Sequence, residues 1–378
     1  MSDGESSGHD IVDDALERLE WADAKEDPDP TPVSRWRAFT RRAALTGGAA
    51  GVAAAVLEAC GGGGTSSTSA AGGAAGSIFK AGGYKFTFVN HVTTNPFFVP
   101  TRYGAADACK LLGCSYQWTG SQTSNVSEMV NAVNSAITAG ADGIAVSLVD
   151  PTAFNAPVQS ALSKSIPVVG YNADAKGNPR LAYIGQDLFL SGQEMGKQIL
   201  KLVPSGDIAL FIATPGSLNI QPRIDGAKQS IGSKLNVATV ATGAAVPHEL
   251  TTIQSYAQGH SSVKGMFAVD AGSTQSVAQT IQKQGLKDKV KGGGYDTLKP
   301  TIELLSKGYI QFTIDQQPYL QGFLPVLELY LYQASQTLTG IADVNTGLKF
   351  LDSTTVQPYV TTKSRYEGSS AAAGVTKS

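Results

Sequence analysis

Tyr84, Phe86 and Phe88 alternate with polar neighbours and run into Val89. A period of two that ends in polar residues predicts a strand opening into a loop. Beyond that loop Asn95 suits a helix N-cap. Pro96 suits the first helical position, where its fixed φ and missing N–H cost nothing. Phe97 and Phe98 are therefore expected at a helix start, just past the carboxyl end of a strand, the edge at which open α/β sheets bind ligands. Composition alone leaves core packing and ligand contact equally open for the two rings.

The alternation of short apolar runs and amphipathic stretches continues. Residues 114–118 read as a strand, and Val126, Met129, Val130, Val133 and Ile137 fall on one face of a helix over 125–139. A continuous apolar strand over 143–149 turns at Asp150-Pro151-Thr152 into a helix over 153–163, followed by a strand over 166–171. Strands and helices taken in that order predict a parallel sheet with helices on both faces. The plan repeats from Leu181, with strands to 184 and over 207–213, 236–241, 263–269, 290–294 and 309–314. Helices are expected between them, over 188–202, 221–231, 249–258, 273–284 and 299–306. A long helix over 319–333 and an apolar segment at 348–351 must pack back on one half or the other. The pattern predicts an α/β chain with two doubly wound parallel-sheet lobes.

Composition changes this picture mainly at the start. The chain has 378 residues and a formal net charge of −2, but from Cys60 onward 23 Lys and Arg stand against 19 Asp and Glu. No basic block appears there, so nucleic acid is not an expected partner. The first thirty residues are acidic and poor in apolar residues, a composition that builds no core. Then Arg35 and Arg37 lead to Arg41-Arg42, a mildly apolar run over 43–57, and Leu57-Glu58-Ala59-Cys60. That run is too short for a bilayer core of about 30 Å, and its layout is that of an export signal. It resembles a twin-arginine signal ending in a bacterial lipobox, departing from both patterns at Ala43-Ala44 and at Glu58. Residues 1–59 are accordingly expected to be a signal segment, Cys60 a lipidated anchor, and 60–83 a flexible Gly/Ser/Ala linker. An exported protein permits a disulfide between Cys109 and Cys114, though small buried apolar residues are the preferred reading of the pair.

The tests for enzymes fail. There is no nucleophile elbow, no P-loop and no properly placed glycine-rich dinucleotide motif. His91, His248 and His260 are too scattered for a metal site, so neither metal nor cofactor is expected. What recurs is a polar residue after an apolar strand: Asn172 after VVGY, Asp270 after MFAV, Asp296 after GGGY and Gln316 after FTID. Four such side chains from different strands could converge on one cleft. Each taken singly could equally make a turn or cap the next helix.

In series, TNPFF, ADGIAVSLVDP, IPVVGYNAD, YIGQDLFLSGQEMG, PRIDGAKQ, MFAVDAG, GGGYDTLKP and FTIDQQPYLQG carry a family likeness over about 84–360. The chain resembles the type I periplasmic sugar-binding proteins of ABC importers, in the branch of the ribose-binding proteins. The resemblance implies two lobes joined by a hinge, the N-terminal from 84–183 plus 317–346 and the C-terminal from 184–316 plus 347–360. Residues 361–378 are left as a disordered tail. It also implies a monomeric extracytoplasmic receptor, not an enzyme, that presents a small carbohydrate to a membrane permease. A sensor of the same fold, working with a chemoreceptor or as the effector core of a LacI-type repressor, is the alternative.

The likeness carries the sugar-binding loop onto Asn95, Phe97 and Phe98, the sugar-binding arginine onto Arg223, and hydroxyl-gripping groups onto Asp296 and Gln316. His91, Asn172 and Asp270 occupy further site positions but differ from the ribose pattern, which points to another polyhydroxylated ligand. No aromatic of the second lobe matches, Pro247 or His248 being nearest. Hydroxyls both donate and accept, so carboxylate, amide and guanidinium together satisfy them while aromatic faces cover the C–H surface of a ring. Asp270 and Asp296 against Arg223 leave a modest negative balance, which suits a neutral sugar or polyol.

Overall fold

A computed structural model describes residues 82–361, apart from position 339. The export segment, Cys60, residues 60–81 of the linker and residues 362–378 of the tail lie outside the described residues. Two six-stranded sheets organise the rest. In the first, β1 (Lys85–Asn90) lies between β2 (Ser115–Gly120) and β3 (Gly143–Val146). Beyond β3 come β4 (Val168–Tyr171), β5 (Ala182–Gly185) and the short β11 (Val344–Asn345), all parallel. In the second, β6 (Asp207–Ile212) lies between β7 (Asn236–Ala241) and β8 (Gly265–Ala268). It continues through β9 (Lys291–Tyr295) and β10 (Phe312–Asp315) to an antiparallel edge, β12 (Lys349–Leu351). Each sheet therefore reverses its winding next to its first strand, between β1 and β3 and between β6 and β8. That reversal opens a crevice at the carboxyl ends.

The strands are apolar on both faces because both faces are covered. Phe86 and Phe88 of β1 enter one core of the first lobe, while Val89 enters the other with Val146 and Met129. In β6, Ala209 and Phe211 face one core of the second lobe, and Ile208, Leu210 and Ile212 face the other.

The turn at Asn95 departs from the expected α-helix. Pro96–Phe98 is a 3₁₀ turn, closed by the Val99 N–H on the Pro96 carbonyl, and α1 (Val99–Leu112) begins only afterwards. The residue that would make the α-type bond to Pro96 is Pro100, which has no N–H. Helix α6 (Val246–Gly259) starts three residues earlier than its apolar pattern suggested, with Pro247 in its first turn. Helix α7 (Ala271–Lys283) starts two residues early because Asp270 caps it. A short helix over Gln357–Thr361 was not anticipated.

The chain passes between the sheets three times. It leaves β5 through Gln186 and Asp187 into α4 (Leu188–Leu202), and leaves β10 through Gln316 and Gln317 into α9 (Leu320–Ser335). It crosses last from β11 to β12 through 346–348. Helix α9 packs on α1 at Gly104 and Gly322, where a Cβ would collide with the facing main chain. Helix α4 meets α5 (Gln221–Ile231) in the same way, a Cβ on Gly192 striking the carbonyl of Arg223. That close approach fixes the backbone from which Arg223 reaches into the cleft.

Candidate functional site

All nine predicted site residues line one cavity between the lobes: His91, Asn95, Phe97, Phe98, Asn172, Arg223, Asp270, Asp296 and Gln316, together with Asn219, Ile220 and Ala271. The first lobe supplies the aromatic wall. Asn95 Oδ1 accepts from the Phe97 N–H at 2.9 Å, so its carboxamide fixes the loop. Phe97 and Phe98 meet edge to face at 4.7 Å, and His91 meets Phe98 edge to face at 5.2 Å. Both phenylalanines are almost fully buried and belong to the first-lobe core while touching the cavity. The core reading of the two rings therefore holds, and both also stand at the cavity wall.

The second lobe supplies charge. Arg223, 2% exposed, donates from one terminal nitrogen to the Val269 carbonyl at 2.8 Å and from the other to Gln186 Oε1 at 3.2 Å. Its guanidinium lies 4.0 Å from the centre of the Tyr295 ring, and Nε is buried without a hydrogen-bond partner. Tyr295 is thus an aromatic group of this lobe packed against the guanidinium. Neither Pro247 nor His248 lines the cavity, the latter bonding the Thr242 carbonyl.

Asp296 follows β9 at φ 74, a left-handed conformation that Asp and Asn tolerate better than most residues. Its N–H donates to the Ile314 carbonyl at 2.7 Å, and its carbonyl accepts from Thr313 Oγ1 at 2.7 Å. The main chain is thus set without help from the carboxylate, which accepts from Gln316 Nε2 at 2.7 Å. Burial pushes this carboxyl up to about 7, against the pull of Arg223. Asp270 is committed differently: its two oxygens accept from the N–H groups of Ser273 and Ala213, so here the capping explanation for a strand-end Asp holds. Burial raises its pKa as well.

Three further side chains tie the site together, and sequence reasoning missed them. Gln321 of α9 accepts from Asn172 and donates to Gln316 and to Thr346 Oγ1, joining both lobes and a crossing segment. Gln186 joins Arg223 to the Gly347 carbonyl in another crossing. Asn219 donates to His91 Nε2 across the cleft at 3.0 Å, leaving His91 Nδ1–H for Ser147 Oγ. Burial keeps that imidazole neutral, holding its pKa down at about 4. Beside it the Leu218 N–H donates to the Val149 carbonyl at 2.9 Å. Only Asn219 had a local signal, since it lies in a Thr-Pro-Gly-Ser loop after an apolar strand. The partners of Gln186 and Gln321 include residues more than 140 positions away.

These bonds close the lobes on a cavity of about 40 Å³. A water needs about 10–15 Å³ on the same measure, so the cavity as it stands is too small for a sugar ring. A larger groove of about 660 Å³ lies at the crossing segments, but its guanidinium is spent internally: Arg180 pairs with Asp174 at 2.5 Å and with Asp343 at 3.0 Å. Among the described residues no cluster could hold a metal ion, and no helix is long and apolar enough to cross a membrane.

Known proteins share this fold. The profile described as periplasmic binding protein domain matches residues 86–337. The xylose/arabinose-binding protein XylF of Sulfolobus acidocaldarius is 53% identical over 305 residues, covering 76% of this chain and 76% of that protein. The ribose import binding protein RbsB of Escherichia coli is 25% identical over 235 residues, 59% of this chain and 76% of its own. Among solved structures, an ABC transporter solute-binding protein of Burkholderia graminis in complex with D-arabinose superposes with a TM-score of 0.70. It is 25% identical and covers 74% of this chain and 99% of its own.

Proposed function

Because the chain belongs to the family of periplasmic binding protein domains, we propose that it is the extracytoplasmic receptor of an ABC importer and closes its lobes on a neutral pentose. The observation that carries this reading is the buried, unpartnered Nε–H of Arg223 in a cavity shared with Asp296, Gln316, Asn172 and two phenylalanine rings. A sugar offers what that set lacks: acceptor oxygens for the guanidinium, hydroxyl donors for the carboxylate, and a C–H face for the rings. The xylose and arabinose in the name of the 53% identical relative favour a pentose over a hexose.

Nothing in this chemistry calls for bond making, and the site is read as one of binding alone. A thermal-shift panel tests the ligand class, because a solute that binds only the folded chain raises its melting temperature by mass action. D-Xylose and L-arabinose are expected to give the largest shifts, with D-glucose smaller and glutamate or phosphate without effect. A shift with a charged solute and none with any sugar would overturn the assignment.

The address follows from the first sixty residues. Arg41-Arg42 would direct export and Cys60 would carry the lipid that holds the receptor beside its permease. Cys60→Ala is expected to release the exported protein into the soluble fraction; unchanged membrane association of that variant speaks against the anchor.

A further inference from the structure

Helix α1 ends on two cysteines that take no part in the cavity. Cys109 is 5% exposed and Cys114 half-buried, with Gly113 between them in the left-handed region at φ 65. The Cys109 carbonyl accepts from the Gly113 N–H and, at 3.0 Å, from the Cys114 N–H. A helix stopped in this way folds the residue after its glycine back onto the residue five positions earlier, so that the two side chains meet. The neighbouring Cys114 thiol and then burial push the Cys109 thiol up, whereas the Cys109 thiol beside it holds the Cys114 thiol down. Cys114 is thus the more exposed and the more readily ionised of the two.

We propose that Cys109 and Cys114 are a disulfide-forming pair, closed by exchange with an external small-molecule disulfide such as oxidised glutathione. A bridge needs Cα atoms about 4.4–6.8 Å apart, and the main-chain bond from the Cys114 N–H to the Cys109 carbonyl folds the two residues onto one another. In the first step the Cys114 thiolate attacks one sulfur of the external disulfide. Its S–S bond breaks, and one small thiol departs with the electron pair and takes up a proton. Cys109 then gives up its proton and attacks Cys114 Sγ, displacing the second small thiol. The two protein thiols lose two electrons and two protons in all, and the external disulfide gains them as two thiols. The cross-link would tie the end of α1 to the start of β2. Phe97 and Phe98 stand at the other end of the helix, about 21 Å away for fourteen residues at 1.5 Å each.

Trypsin provides the test, because it cuts after Lys110, between the two cysteines. The full chain is incubated folded with oxidised glutathione, alkylated and digested. Peptides 103–110 and 111–164 are expected joined, lighter than their sum by two hydrogens and separable by reductant. The oxidised protein is expected to melt about 2–8 °C above its reduced form, a difference absent from Cys114→Ser. Pentose affinity is expected to be equal in both redox forms. Recovery of both peptides separately, with each cysteine alkylated or capped by glutathione, would overturn the pair.

Discussion

Asp296→Asn is expected to weaken pentose binding by on the order of tenfold to a thousandfold while leaving the unliganded fold intact. A carboxylate in a cleft that excludes water accepts hydroxyls in charge-assisted bonds worth about 1.5–3 kcal/mol each, and an amide offers less charge and a single acceptor oxygen. Asparagine is the informative replacement because the position has φ 74 and alanine there would add backbone strain of its own. The bonds of the Asp296 main chain to Ile314 and Thr313 survive in either variant.

The pH profile sharpens this expectation. The carboxyl is raised from 3.8 to about 7 in the folded chain, so between those values the folded state holds a proton that the unfolded state has released. Its contribution to stability is full below pH ~4 and lost as the pH rises towards 7. His91 acts in the opposite sense. Its pKa is lowered from 6.5 to about 4, so stability falls as the pH drops through that window and the unfolded chain takes up the proton. In the parent the two slopes oppose each other. In Asp296→Asn only that of His91 remains at this pair, and the melting temperature is expected to climb from pH 5 to 7 relative to the parent. Melts of both proteins across that range, with calorimetric titrations at pH 7, check it. Parent-like affinity with a large drop in melting temperature would make Asp296 a structural residue.

The second large effect is expected at Arg223. Arg223→Ala removes a guanidinium that is 2% exposed, and with it the partners of the Val269 carbonyl and of Gln186 Oε1 and the cation on the Tyr295 ring. An unsatisfied buried acceptor costs about 1–3 kcal/mol, and breaking a buried charge set by deleting one member about 3–5 kcal/mol. Arg223 also pulls the Asp270 and Asp296 pKa values down, so its loss drives Asp296 further towards the neutral form at pH 7. We expect a fall in melting temperature of about 6–15 °C and no measurable pentose binding. Arg223→Lys keeps the charge but not the fork, and should recover part of the stability with little of the affinity. Parent-like binding by the alanine variant would remove Arg223 from the site.

Much of this was legible because the physics is local. The period of two in Phe86 and Phe88 places both rings in one core, and the continuous apolar run over 208–212 reads as a strand buried on both faces. The rule that polar side chains gather at carboxyl ends of strands placed Asn172, Asp296 and Gln316 beside one another. What escaped depended on three-dimensional closure. Gln321 reads as an ordinary polar position in a helix until Asn172, 149 residues away, and Thr346 arrive beside it. Asn219 gains its partner across the cleft only when His91 faces it from the other lobe. The 3₁₀ turn at Pro96 was accessible in principle, since Pro100 has no N–H for an α-type bond, but the first proline reads as a helix start.

The central claim is that two lobes close on one neutral pentose, and isothermal titration of the purified chain with D-xylose and L-arabinose tests it most directly. The account predicts saturable binding of one sugar per chain at micromolar affinity or tighter, with a negative heat-capacity change as the cleft excludes water. Titrations that show no heat at any temperature for either pentose, beside a parallel one in which an ionic solute saturates the same chain, would contradict it.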